Sequence, residues 1–349
     1  MIKRSPFCSA LTAQPKSVHQ RGVTLVELMV AMALGLLIAL AAAASLLISR
    51  QGFTAVDAAS QLRDNGRYLQ SLTQRLGVQA GYRDVKFATD TTAKANQAYG
   101  ASAPPPNVFG LNNASRTSSA TWDAGTTRTS GQVGYGSDIL VLRHQTSSAT
   151  PDSAASDGTM IDCAGVASTA VPSGVDDKLV SILHVGVGSD GEPSLLCSRS
   201  DTDAAPYDVQ PIISGVENFQ VLYGVDGIGP GNTTVPIPAS SADSIPDRYL
   251  RADQLTVAGN DAATYANWQR VRSIRIGVVL RGPLGSAVDN TSQTFYPLGI
   301  SADSGGGTAG SGFANNSTDP GTGYTPATDS RLRQVITFTV HLRNFQGEY

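Results

Sequence analysis

From Val23 to Ile48 the chain is apolar or small almost without interruption, and the one charge in that stretch is Glu27. At about 1.5 Å per residue, a helix of this length crosses the roughly 30 Å hydrocarbon core of a bilayer. A lone carboxylate near the centre of a span costs on the order of 2.5–3.5 kcal/mol, so a charge retained there is expected to have a function. A basic residue and a glycine, Arg21-Gly22, stand immediately before the run. That junction is where cleavage is expected.

The segment before it is unlike an ordinary secretory signal. Residues 1–22 contain Lys3, Arg4, Lys16 and Arg21 and no acid, and they lack an apolar core of their own. A secretory signal places its apolar region ahead of the cut, whereas here it follows the cut and stays in the product. The positive leader is expected to remain cytoplasmic and the C-terminal bulk to lie outside. Without the leader the chain has 21 basic residues against 28 acidic, a net charge of −7. Non-specific nucleic-acid binding needs a basic footprint, so that role is disfavoured.

Gly22-Val23-Thr24-Leu25-Val26-Glu27-Leu28 resembles the class III signal of type IV prepilins and type II secretion pseudopilins. The resemblance implies that a prepilin peptidase cuts between Gly22 and Val23 and methylates the new N-terminus at Val23. Glu27, fifth in the mature chain, is then the assembly carboxylate. The physics runs the same way. A carboxylate in an apolar bundle needs a cationic partner, and a neighbouring subunit's N-terminal amine is the nearest of that kind.

Beyond Ser49 an amphipathic continuation to about Leu76 is expected. Ala55, Val56, Ala59, Leu62, Leu69, Leu72 and Leu76 recur at helical spacing, with Gly77 and Gly81 as stops. Residues 89–136 read as loops, rich in small polar residues and containing Pro104-Pro105-Pro106. Strands are expected at 137–143, 179–185, 195–197, 209–213, 219–223, 271–280 and 335–342, with a hairpin turn at Ser189-Asp190-Gly191-Glu192-Pro193. In the last two strands Ile274, Ile276, Val278 and Leu280, and Ile336, Phe338, Val340 and Leu342, alternate onto one face. Residues 301–330 read as another loop. The expected fold class is α+β, with a long N-terminal helix half-covering an antiparallel sheet. The domain plan is a cleaved leader at 1–22, a membrane or filament-core helix at 23–50, its amphipathic continuation at 51–80, and a β-rich periplasmic or extracellular domain at 81–349.

Of the three cysteines, Cys8 lies in the leader. Cys163 and Cys197 remain as an even pair in a segment facing an oxidising compartment, where a disulfide is expected and two free buried thiols are the alternative. A loop of about 35 residues closed in this way stabilises by roughly 3–4 kcal/mol on the chain-entropy account.

Several blocks narrow the resemblance. SDILVLRH from Ser137, GVENFQVLYGVD from Gly215, PDRYLRADQL from Pro246 and SIRIGVVLR from Ser273 are similar to segments of the PilW minor pilins. That family has a pilin-like fold. It implies a non-enzymatic subunit of the pilus-initiating tip complex, in the inner membrane and then at the pilus tip, that supports twitching motility and adhesion. The implied partners are other minor pilins, a PilY-type tip adhesin and the major pilin.

No constellation for catalysis, cofactor or metal stands out. The histidines are His19 in the leader, His144 and His184 near strand ends, and His341 on a polar face, each expected to be a surface or satisfied residue. HExxH, CxxC and P-loop patterns do not occur. The acidic stretch from Asp226 to Asp247 offers too few oxygens for calcium, which takes six to eight. Sequons at Asn113, Asn232, Asn290 and Asn316 are expected by chance in so Asn-, Ser- and Thr-rich a chain. Two other functions remain open from the residues: a large minor pseudopilin of a type II secretion system, and a membrane-tethered adhesin or binding module using the loops at 89–136 and 301–330.

Overall fold

The computed structural model describes residues 22–88, 105–150, 153–169, 171–174, 176–228, 245–287, 291–299 and 320–344. The leader before Gly22, the loop at 89–104, most of the acidic stretch after Asp226, the sequons at Asn232, Asn290 and Asn316, and residues 300–319 lie outside these. The chain divides into two compact units, Met1–Gly52 and Phe53–Tyr349. One helix, α1 (Leu25–Gln79), runs through the boundary. Within the first unit every described residue is exposed. The helix from Leu25 is long and apolar enough to cross a membrane.

The second unit has two antiparallel sheets. One has the order β1 (Val108–Leu111), β4 (Ile139–His144), β5 (Leu179–Val187), β6 (Pro193–Ser200) and β7 (Asp208–Ser214). The other has the order β11 (Arg333–His341), β10 (Val271–Arg281), β8 (Val216–Val225) and β9 (Arg248–Leu250). A small pair, β2 (Ala114–Ser115) and β3 (Thr126–Thr127), forms a separate two-stranded sheet. Short helices complete the unit: α2 (Val85–Ala88), α3 (Ala252–Leu255) and α4 (Asp261–Trp268). The expected hairpin is β5–β6, with Gly191 at positive φ in its turn.

The C-terminal part of α1 buries Ala58, Leu62, Gly66, Leu69, Leu72, Thr73, Leu76, Gly77 and Gln79. Val56, expected on this stripe, is 71% exposed, and Ala58 takes the packed position instead. Gly77 is not a stop. It and Gly66 stand eleven residues apart, close to three helical turns, and both face β11. A Cβ on Gly66 would lie 2.0 Å from Ile336 Cδ1, and one on Gly77 2.3 Å from Val340 Cγ1. The two glycines let the helix backbone approach the strand. Gly81, at φ +76°, ends the helical path, and its N–H donates to the Arg143 carbonyl at 2.9 Å.

In the second sheet β8 and β10 are covered on both faces, which corrects the expectation of a half-covered sheet for these strands, while Thr337 and His341 of the edge strand β11 stay exposed. Residues 291–299 strap the sheet's second face: Leu298 packs on Leu222, and Thr337 Oγ1 donates to the Pro297 carbonyl at 2.6 Å. Gly277 in β10 makes room, since a Cβ there would meet the Pro297 oxygen at 2.3 Å. The alternation in β10 therefore marks the helix-facing side without marking the other as solvated. Val279, on that other side, is fully buried.

The loop expectation for 89–136 also needs correction among its described residues. Val108–Leu111 is a core strand paired with β4. Phe109 packs edge-on to Trp122, with ring centroids 5.1 Å apart, and against Trp268 at 4.9 Å. Tyr223 meets Trp268 at 4.6 Å. This aromatic cluster joins β1, β8 and α4 across most of the chain. Four strand residues between Pro104-Pro105-Pro106 and Asn112-Asn113 carry too short a pattern to reveal themselves. Their burial comes from partners elsewhere in the chain: β4 and Trp122 downstream, and Trp268 more than a hundred residues away.

Candidate functional site

The assembly features expected at the start of α1 can be placed. Thr24 precedes the helix and Glu27 lies in its first turn. Glu27 Oε2 accepts from the Thr24 backbone N–H at 2.9 Å and from Thr24 Oγ1 at 3.0 Å, and the Glu27 N–H donates to Thr24 Oγ1 at 3.3 Å. That is a capping box, and it satisfies two donors that a helix N-terminus otherwise leaves open. The Thr-x-x-Glu spacing therefore gives Glu27 a local partner within its own chain. Gly22 and Val23 precede the helix and are exposed, and a Cβ on Gly22 would touch nothing within 4 Å.

Around this turn the apolar side chains are uncovered. Val23, Leu25, Val26, Leu36, Ile38 and Ile48 are each about two-thirds exposed or more. An uninterrupted apolar cylinder of this kind needs lipid or other apolar helices around it. The carboxylate of Glu27 lies within this uncovered apolar surface.

The second placed feature is the disulfide. Cys163 and Cys197 are bonded, their Cα atoms 5.6 Å apart, and both are fully buried. Cys197 lies in β6 opposite Leu183, and Cys163 leads the loop that precedes β5. The Cys163 N–H donates to Ser181 Oγ at 3.0 Å. Beside it Arg199 bridges Asp162 at 2.6 Å and Asp208 at 2.8 Å. The same loop is fastened to the end of α1: Gln79 Nε2 donates to the Ile161 carbonyl at 2.7 Å, and the Ile161 N–H donates to Gln79 Oε1 at 3.2 Å. The disulfide thus fixes the loop that receives the helix terminus. Sequence reasoning missed Gln79, a polar residue in a helical stripe that gave no sign of a partner 82 positions away.

Two of the three histidines in strands are buried. His184 Nε2 shares a hydrogen bond of 2.9 Å with Ser198 Oγ, and burial, with Arg116 and Arg128 adding to it, pushes its pKa down to about 3. Burial likewise pushes His144 down to about 4, against the opposing pull of Asp162. His341 is exposed on the edge strand. No group of three His, Cys, Asp or Glu side chains suited to a metal occurs among the described residues.

Asp138, at the mouth of β4, is a junction between the sheets. Its carboxylate accepts from the Asn113 N–H at 3.0 Å and from the Val221 N–H at 2.8 Å, and its own N–H donates to the Phe219 carbonyl at 2.7 Å. This accounts for the start of the SDILVLRH block in structural terms.

Comparison with known proteins places two matches on the chain. Residues 182–344 match the family described as Type IV Pilus-assembly protein W, and residues 18–43 match the Prokaryotic N-terminal methylation motif. The first covers the sheets from β5 onward, and the second covers Gly22, Val23 and Glu27. Among solved structures, a type IV-like pilin from Thermus thermophilus is similar at 13% identity and a TM-score of 0.36, covering 82% of this chain and 98% of that one. No curated protein matches this chain.

Proposed function

We propose that this chain, which carries a PilW-type domain behind a class III prepilin signal on an α+β, pilin-like fold, is a minor type IV pilin of the pilus-initiating tip complex. The observation that carries the reading is the coincidence, within residues 18–43, of the methylation motif, an uncovered apolar helix and a single carboxylate in its first turn. The peptidase cuts between Gly22 and Val23 and methylates Val23. The helix anchors the precursor in the inner membrane with the C-terminal domain periplasmic. On assembly, Glu27 exchanges part of its capping-box bonding for the N-terminal amine of a neighbouring subunit, which neutralises both charges and sets the axial offset between subunits. The subunit's work is non-enzymatic. Its partners are other minor pilins, a PilY-type tip adhesin and the major pilin, and its loss reduces twitching motility and adhesion.

Glu27→Ala tests the docking step. Processing at Gly22–Val23 should be unchanged while incorporation into filaments is lost; normal incorporation of this variant sinks the role assigned to Glu27. Deleting the gene separates the pilus from a type II secretion machine, which uses the same class of signal. Lost surface pili and twitching with intact exoprotein secretion is expected, and the opposite pattern makes the chain a pseudopilin.

A further inference from the structure

Lys178 is a buried lysine with no carboxylate at salt-bridge distance among the described residues. It lies immediately before β5, is 3% exposed, and its Nζ donates to Asn107 Oδ1 at 2.8 Å. Asn107, itself 8% exposed, lies immediately before β1. Strand β4 runs antiparallel between the two, so the starts of β1 and β5 meet at one end of the five-stranded sheet. The side chains bridge over β4 and link positions 71 apart in sequence.

The surroundings are those of a reaction site more than of a structural ion pair. Arg143 holds the Asn107 side of the pair: its backbone N–H donates to the Asn107 carbonyl at 2.8 Å and its Nη1 to the Pro106 carbonyl at 3.2 Å. The same guanidinium pairs with Asp203 through Nη2 and lies 4.9 Å from the Trp122 ring. Asp203 Oδ1 is buried and has no hydrogen-bond partner among the described residues. Burial, with Arg143 and Arg83 adding to it, lowers the Lys178 pKa to about 7 against the pull of Asp176 and Asp203, so a large share of the amine is uncharged at neutral pH. Burial raises the Asp203 carboxyl against the opposing charges of Arg143 and Lys178. An uncharged buried amine, a carboxamide at hydrogen-bond distance and a nearby carboxyl able to carry a proton are the three parts of an amide exchange.

We propose that Lys178 and Asn107 become joined by a covalent amide bond, formed within the folded chain between Lys178 Nζ and Asn107 Cγ. The Nζ lone pair attacks Cγ to form the new C–N bond, and the Cγ–Nδ2 bond breaks. Asp203 takes the proton released by Nζ and returns a proton to the departing nitrogen, which leaves as ammonia. The sum is one amine and one carboxamide giving one secondary amide and ammonia, with no oxidant or other co-reactant. Desolvation favours the exchange, because it keeps the amine unprotonated and keeps water from competing for the carboxamide carbon. The product fastens β1, a four-residue edge strand, across β4 to β5. It locks the sheet at the end where Arg143 also receives Gly81 from the helix terminus.

The test is mass spectrometry of the full chain, purified in detergent from membranes, with the disulfide reduced. The expected intact mass is lower by one ammonia than the sequence requires for its processing state. Proteolysis should release one branched peptide containing both Asn107 and Lys178. Full mass with the two residues on separate peptides overturns the proposal and leaves a plain hydrogen bond. Lys178→Met and Asn107→Ala should each restore the missing mass and lower the melting temperature. For the proton carrier, Asp203→Asn in chain that still forms Cys163–Cys197 should slow appearance of the branched peptide by about 100-fold, the usual weight of a positioned acid–base group. An unchanged rate removes Asp203 from the reaction.

Discussion

Arg281 donates its backbone N–H to the Gly215 carbonyl at 2.7 Å, while a Cβ added to Gly215 would lie 2.4 Å from the carbonyl oxygen of the same Arg281. Gly215 is the only residue between β7 and β8, and those strands belong to different sheets. Its N–H is held on the other side by the Pro193 carbonyl of β6 at 2.7 Å. One residue at φ +83° therefore carries the chain from one sheet to the other, bonded to both.

Gly215→Ala should be severe. An L side chain at this φ costs about 1–2 kcal/mol, and a backbone overlap that cannot rotate away adds a further 1–3 kcal/mol or so. A destabilisation of about 3 kcal/mol, read as a lowered denaturation midpoint, is expected. A shift below about 0.5 kcal/mol, the scale of an ordinary surface change, contradicts the corner as described.

The helix glycines should not respond alike. At Gly66 the obstructing atom is the end of the Ile336 side chain, which can turn aside. At Gly77 it is a γ-methyl of Val340, whose branched side chain in a strand has little freedom. Alanine gains roughly 0.5–1 kcal/mol over glycine inside a helix. Gly66→Ala is therefore expected to be close to neutral, and Gly77→Ala to lose about 1–2 kcal/mol. Thermal melts of the two variants side by side decide it.

Replacing Cys163 and Cys197 together with serine should cost about 3–4 kcal/mol, from the loop of 34 positions that the disulfide closes. Gln79 would keep its bracket on Ile161, so the end of α1 stays docked while the loop behind it loosens. Hydrogen exchange is expected to rise around residues 161–169 more than around 69–79.

Acid should weaken the fold before the carboxylates titrate. His144 and His184 are held neutral, with pKa values of about 4 and about 3, below the roughly 6.5 of an unfolded chain. Below pH 6.5 the unfolded chain binds protons that the native chain does not, so stability falls as pH falls, and the loss continues down to the native values. Two such groups remove about 3 kcal/mol between pH 6.5 and 5. Equilibrium unfolding across that range, repeated with His184→Gln, should show the slope reduced by about half. A flat profile in the unsubstituted chain contradicts the buried neutral imidazoles.

The N-terminal element was legible because its physics is local. A long apolar run, one carboxylate and a Gly-Val junction specify a membrane-competent helix whatever the rest of the chain does, and Thr24 and Glu27 close their capping box within three residues. The strands with regular alternation, β10 and β11, and the β5–β6 hairpin were legible for the same reason. The two cysteines could be paired because they alone remain after the leader.

Tertiary structure decided everything that depends on what approaches from far along the chain. Val56 and Ala58 differ in fate because Gly282, just past β10, lies against Ala58 and nothing among the described residues covers Val56. Val108–Leu111 becomes core through Trp122, Tyr223 and Trp268, and the second face of β10 is dry because Pro297 and Leu298 lie across it. Asn107 and Lys178 are unremarkable in sequence and meet only when β4 comes between β1 and β5. Periodicity records which way a side chain points; it contains no term for the distant backbone that covers it, and that covering sets burial, pKa and reactivity.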